Sequence, residues 1–176
     1  MALSQQIQNT INGIRGQFPT TQALLIPLLL EIQEEQNWIS PEQLKAVAEF
    51  LELPLSKVRE VASFYTMFKL DKPLGRVNLQ FCVNISCWLN GAEKLVACAE
   101  KRLGVHCGET TKDGKFTISE VECLASCGTA PVVQINQDYY ENIDVPKLNE
   151  LLDQAEKDLA SNKPVGKSTQ VPGVWP

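Results

Sequence analysis

The sequence predicts an α/β chain, α+β over its whole length, in which a helical bundle precedes a small sheet domain. Three observations carry this. Apolar residues recur at helical spacing through the first 70 positions. The stretch Asp71-Lys-Pro73-Leu-Gly75 then breaks the pattern. Directly after it, Val77, Leu79 and Phe81 alternate with Arg76, Asn78 and Gln80, the period of a strand with one buried face. A chain of 176 residues holds one domain or two small ones. The expected division is a helical domain over 1–72, a sheet domain over 76–160 and an extended tail over 161–176.

In the first part, Ile7, Ile11, Ile14 and Phe18 form one stripe, stopped by Pro19. A second helix is expected over roughly 22–37, capped by Thr20 or Thr21. Ser40-Pro-Glu-Gln43 is a strong start signal for a third, running to Leu51. There Ser40 caps, Pro41 sits where its missing N–H costs nothing, and Gln43 completes a capping box. Pro54 opens a fourth, with Val58, Val61, Ala62, Tyr65 and Phe68 on its apolar face. Core packing is the expected role of Phe64, Tyr65 and Phe68, the alternative being cover for a domain junction or partner.

In the second part, a strand ending at Cys82 is followed by a loop with Cys87, a helix over about 91–103, and an Asp113-Gly114 turn. A strand at 116–121, a loop with Cys123 and Cys127, a strand at 132–135 and a turn into Tyr139-Tyr140 come next. Pro146 opens a last helix bearing Leu148, Leu151, Leu152 and Leu159. This strand–helix–strand–strand–helix order is thioredoxin-like in outline. The tail, rich in Lys, Pro, Gly, Ser and Val, cannot pack a core of its own. Its Lys163 and Lys167 suit either a solvated end or an acidic partner.

The net charge of −5 argues against bulk attraction to nucleic acid. The longest apolar run, 23–30, has eight residues and contains Pro27, far short of the ~20 of a spanning helix. The first residues show neither a basic n-region nor an apolar h-region, so a cytosolic chain is expected. All six cysteines lie between positions 82 and 127. In a reducing compartment such clustered thiols point to a metal or redox site, not to disulfides.

Four of them form two pairs. Cys82-Val-Asn-Ile-Ser-Cys87 has a four-residue gap, Cys123-Leu-Ala-Ser-Cys127 a three-residue gap, and each follows a predicted strand. If those strands are neighbours, both loops leave one sheet edge and the thiolates converge. Such a set can hold a [2Fe–2S] cluster, two thiolates to each iron. A structural zinc stays open as the alternative, although its knuckles favour two-residue gaps. A thiol oxidoreductase would use C-x-x-C, which is missing here. Cys98 reads as a small helical hydrophobe and Cys107, after the lone His106, as a free thiol in a connection. Neither a G-x-G-x-x-G fingerprint nor a P-loop occurs, so nothing points to flavin or NADH on this chain.

The first cysteine loop running into Trp88-Leu-Asn-Gly91-Ala-Glu-Lys-Leu95 resembles the thioredoxin-like [2Fe–2S] subunit family of respiratory complex I, NADH–quinone oxidoreductase. Val61-Ala-Ser-Phe-Tyr-Thr-Met-Phe68, Gly108-Glu-Thr-Thr-Lys-Asp-Gly-Lys-Phe-Thr117 and Val121-Glu-Cys-Leu-Ala-Ser-Cys-Gly-Thr-Ala-Pro131 are similar as well, so the likeness spans nearly the whole chain. It implies an N-terminal helical bundle and a thioredoxin-like [2Fe–2S] ferredoxin domain. It implies Cys82, Cys87, Cys123 and Cys127 as ligands of one [2Fe–2S] cluster, with FMN and NADH on a flavin-bearing partner subunit. It further implies an electron-transfer subunit, not catalytic alone, peripheral on the cytoplasmic face of a bacterial inner membrane. Related chains serve NAD-linked hydrogenases and formate dehydrogenases. Two positions depart from the family. Ala125 stands where it usually has Gly, and Ser126 where it often has Ala. A positive φ at 125 would cost Ala roughly 1 kcal/mol. Backbone N–H groups of 83–86 and 124–126 are the expected donors to the sulfurs, with Asn84 and Ser86 as polar neighbours.

Overall fold

The computed structural model describes residues 3–163 and Val165. The expected tail, including Lys167, falls almost wholly outside these residues. The chain divides into two compact units, one ending at Pro73 and the next beginning at Leu74.

The first unit is four helices, α1 (Gln5–Ile14), α2 (Leu25–Gln36), α3 (Pro41–Leu51) and α4 (Leu55–Phe64). Their caps are local chemistry. The Ser4 hydroxyl accepts from the Ile7 N–H, and Thr20 accepts from Ala23 at the short 3₁₀ turn leading into α2. The Ser40–Gln43 capping box forms in both directions. Asn37 and Glu52 end α2 and α3 in the left-handed region. Ile7, Ile11, Leu28, Leu29, Ile32, Ile39, Val47, Leu51 and Val58 fill the core.

Two helices stop earlier than their apolar spacing suggests. Helix α1 gives way after Ile14 to a 3₁₀ turn, so Phe18 is extended, yet it still packs on the core. Helix α4 ends at Phe64. Phe68 reaches the core from a turn, its N–H bonded to the Tyr65 carbonyl. The packing expected of Phe64 and Tyr65 is not found, since Phe64 is 76% exposed and Tyr65 is exposed too. Gln33 holds the segment after α4 with both ends of its amide, donating to the Met67 carbonyl and accepting from the Lys69 N–H.

The second unit is a four-stranded sheet with helices. Its elements are β1 (Val77–Cys82), α5 (Ile85–Leu89), α6 (Ala92–Leu103), β2 (Phe116–Val121), β3 (Val133–Ile135), β4 (Asp138–Tyr140) and α7 (Val145–Ala160). The strand order is β2-β1-β3-β4. Strand β1 runs parallel to β2, with α6 in the crossover between them, and antiparallel to β3. Leu79, Phe81, Ile118, Val133, Leu148 and Leu152 form the core of this unit. Helices α6 and α7 are joined by Arg102, which donates to the Asn149 carbonyl and to Asp153 and Glu156.

The register decides what happens at the sheet edge. Cys82 pairs with Val121, so β1 and β2 end level with each other. Strand β3 lies on the far side of β1 and begins at that same edge, where Val133 pairs with Phe81. The connection from β2 to β3 therefore has to cross the end of β1, and it carries Cys123 and Cys127 across Cys82.

Candidate metal centre

The four paired cysteines gather at this edge. Cys82 ends β1 and is 3% exposed, and Cys87 is 2% exposed. Cys87 lies not in a loop, as the sequence suggested, but in the five-residue α5, which Asn84 caps through its side chain. Cys123 and Cys127 are exposed, Cys127 opening a 3₁₀ turn. Leu124 folds inward from the second loop and packs with Cys82, Cys87, Ala92 and Val132 in a small apolar cluster. Exclusion of water on that side and exposure on the other is how one edge can be both shielded and accessible.

The thiols interact as pairs. Burial pushes the Cys87 thiol up, a hydrogen bond with the Cys82 sulfur adds to this, and the Cys82 and Cys127 charges act in the same direction. The Val132 N–H, bonded to the Cys87 sulfur, pulls it down. Cys127 is raised first by the charge of Cys123, then by its limited burial and a hydrogen bond with Cys123, with Cys82 contributing. Cys87 and Cys127, raised in this way, resist losing their protons, and bound metal cations are what would reverse that. Among the described residues no three His, Cys, Asp or Glu side chains group around a single metal-ion position. Two cysteine pairs on neighbouring loops are the kind of donor set that a binuclear centre uses.

Polar contacts fix the loops. The Ser86 hydroxyl donates to the Cys127 carbonyl at 2.9 Å and so ties the first loop to the second. Of the expected backbone donors, Ala125 N–H reaches the Cys123 sulfur at 3.3 Å. The Val83 N–H instead extends the ladder to the Val121 carbonyl, and the Ile85 N–H is taken by the Asn84 side chain. Sequence reasoning missed Val132, Thr129 and Glu141. The Ser126 and Thr129 hydroxyls lie 2.8 Å apart, and both donate to the Glu141 carboxylate. The hydroxyl of Thr129, two residues past Cys127, was a readable turn signal. Glu141 becomes a neighbour only through the β3–β4 hairpin.

Ala125 has φ +56°, in the left-handed region that its Cβ disfavours. Ala125→Gly is therefore expected to stabilise the second unit by about 0.5–1 kcal/mol, after the entropic cost of glycine. Thermal unfolding checks it, and a lowered midpoint would show that the left-handed backbone is not strained here.

The other two cysteines stay out of this group. Cys98 packs against the sheet core with its sulfur near the Asn149 amide. Cys107 is partly buried beside the Ile118 carbonyl, its thiol pushed up by burial and by Glu120.

A family model described as thioredoxin-like [2Fe-2S] ferredoxin matches residues 11–156. The E subunit of NADH-quinone oxidoreductase from Rickettsia prowazekii (strain Madrid E) is 45% identical over 128 residues, 72% of this chain and 72% of that protein. The E 2 subunit of NADH-quinone oxidoreductase from Rhizobium meliloti (strain 1021) is 40% identical over 147 residues, 84% of this chain and 87% of that protein. Among solved structures, a chain of an NAD+-reducing [NiFe]-hydrogenase in the air-oxidized state is similar with a TM-score of 0.68 at 18% identity. The match covers 79% of this chain and 24% of that one, a likeness of fold alone.

Proposed function

Because this chain belongs to the thioredoxin-like [2Fe–2S] ferredoxin family, we propose that it is the [2Fe–2S] electron-transfer subunit of an NADH–quinone oxidoreductase. In this reading it exchanges single electrons with the flavin of a partner NADH-oxidising subunit. The observation that carries the reading is the Cys82↔Val121 register with β3 beyond β1, which brings both cysteine pairs to one edge. The relatives at 40–45% identity favour a quinone-reducing parent complex over a hydrogenase.

Cys82, Cys87, Cys123 and Cys127 would hold the cluster as thiolates. When bound, a [2Fe–2S] cluster supplies storage of one electron at a potential set by charge, hydrogen bonding and exposure. The chain's own residues serve that end. The N–H groups of Val132 and Ala125 aim positive dipoles at the sulfurs. Leu124, Ala92 and Val132 keep water from the buried pair. Ser86 holds the two loops in register.

Partner docking has its own support. Ile85, Trp88 and Leu89 are exposed on the helix that carries Cys87. Apolar surface of this kind beside a redox site suits a protein partner. No helix among the described residues is long and apolar enough to cross a membrane, in keeping with a peripheral place in the complex.

The test is iron, acid-labile sulfide and zinc per chain after anaerobic purification, with EPR before and after dithionite. About two irons and two sulfides, with an S = 1/2 signal only on reduction, are expected. One zinc and no sulfide, persisting after reconstitution with iron and sulfide, would replace electron transfer with a structural role.

A further inference from the structure

The segment 125–129 poses a mechanical problem. It begins with the left-handed Ala125 and carries the exposed Cys127. A backbone in that state reverts unless its neighbours hold it. Besides the Ser86 bond to the Cys127 carbonyl, its support comes from the turn after β4. One carboxylate oxygen of Glu141 accepts from both the Ser126 and Thr129 hydroxyls, the latter at 2.8 Å. The next residue, Asn142, donates its N–H to the Thr129 carbonyl at 2.8 Å. Glu141 is itself located by Lys147, whose ammonium donates to the Glu141 carbonyl at 3.1 Å. Residues 141–142 thus clasp both sides of Cys127, through residues 126 and 129.

We propose that Glu141 is a positioning residue for the second cysteine loop and that its carboxylate charge lowers the reduction potential of the group that loop holds. The inference rests on the reading of Cys127 as a ligand. Both hydroxyls meet one oxygen of Glu141, so the side chain acts there as an acceptor. A fixed negative charge beside the ligand loop opposes an added electron, and the clasp keeps the loop from opening to solvent. The two effects separate by substitution. In Glu141→Gln the amide oxygen still accepts, but the charge is gone. In Glu141→Ala both are gone.

The experiment compares purified full-length wild type, Glu141→Gln, Glu141→Ala and Glu150→Gln, the last removing an equal charge from an exposed position on α7. Iron and sulfide per chain are measured first. The midpoint follows from dye-mediated titration read by EPR, and iron loss from transfer to a chelator. The expected result is normal iron and sulfide in Glu141→Gln, with reduction at least about threefold more favourable than in Glu150→Gln. At 59 mV per tenfold for one electron this is an upward shift of ~30 mV. Glu141→Ala should shift likewise and lose iron several-fold faster. Glu141→Gln matching Glu150→Gln in midpoint, with Glu141→Ala matching wild type in iron loss, would overturn the inference and leave the cluster reading intact. Wild type without iron and sulfide would overturn the cluster reading itself. If Glu141→Ala does not fold, the midpoint of Glu141→Gln decides.

Discussion

Alanine at any one of Cys82, Cys87, Cys123 or Cys127 is expected to remove the reduction-dependent EPR signal, at least about tenfold, while Cys98→Ala and Cys107→Ala keep it. The magnitude follows from ligation. Even outer-shell partners of a metal commonly cost 10–100-fold in affinity when lost, and a thiolate ligand contributes more. The contrast follows from placement. Cys98 and Cys107 lie against the sheet core and the Ile118 carbonyl. The four paired thiols interact with one another at the sheet edge. The exposed pair gives the sharper experiment. Cys123→Ala and Cys127→Ala disturb no buried packing, so circular dichroism should stay native while the signal disappears. Cys82→Ala and Cys87→Ala also open the small cluster around Leu124 and Val132, and some loss of stability accompanies theirs. Serine at Cys123 offers an oxygen in place of sulfur and should alter the signal rather than erase it. A wild-type signal in Cys123→Ala would remove that residue from the ligand set.

Gly75→Ala is expected to destabilise the second unit by about 3 kcal/mol. A Cβ at this position would stand 2.8 Å from the Phe116 carbonyl carbon and 2.9 Å from the Lys115 carbon and oxygen. These are backbone atoms with nowhere to go. The Val77 N–H is bonded to the Lys115 carbonyl, Arg76 N–H to that of Gly114, and Val77 pairs with Phe116 in the parallel ladder. The Gly75 N–H is itself committed to the buried Thr117 hydroxyl at 2.7 Å, so the segment cannot lift away without losing that bond. For a unit of about 100 residues the midpoint should fall by more than ~10 °C. Gly13→Ala is the control of opposite sign. It lies in α1 with nothing within 4 Å of an added Cβ, and alanine suits a helix better by about 0.5–1 kcal/mol. An unchanged midpoint in Gly75→Ala would mean that the start of β2 is free to shift.

Gly75 also marks the boundary of what was readable. As a helix breaker after Pro73 it announced the end of the helical part, but nothing local announced that β2 would press against its α-carbon. The same division runs through the molecule. Ser40 and Gln43 act over three residues, and the capping box formed as expected. Val77, Leu79 and Phe81 alternate because one strand face is buried, and all three are in the core. Ile85 to Leu89 is too short to show a helical period, so the turn carrying Cys87 read as loop. The spacing of Tyr65 and Phe68 suggested a longer α4, because a turn can bury Phe68 as well as a helix can. Donors at the site were legible only where no ladder competed. Val83 was spent on Val121, whereas Ala125 was free to face sulfur. Glu141 had no signal at all, since its partners lie 12 and 15 residues earlier and meet it through a hairpin.

The strand order has a consequence for biosynthesis. The second thiol pair is carried over the end of β1 by the connection from β2 to β3, so the two pairs do not meet until β3 has docked. A nascent chain with only Cys82 and Cys87 outside the ribosome offers two thiols and no enclosure. Residues up to Ile135 must emerge before the edge closes, and the Glu141 clasp comes later still. A cluster held by all four thiols would therefore be completed only once residues through Ile135 are in place.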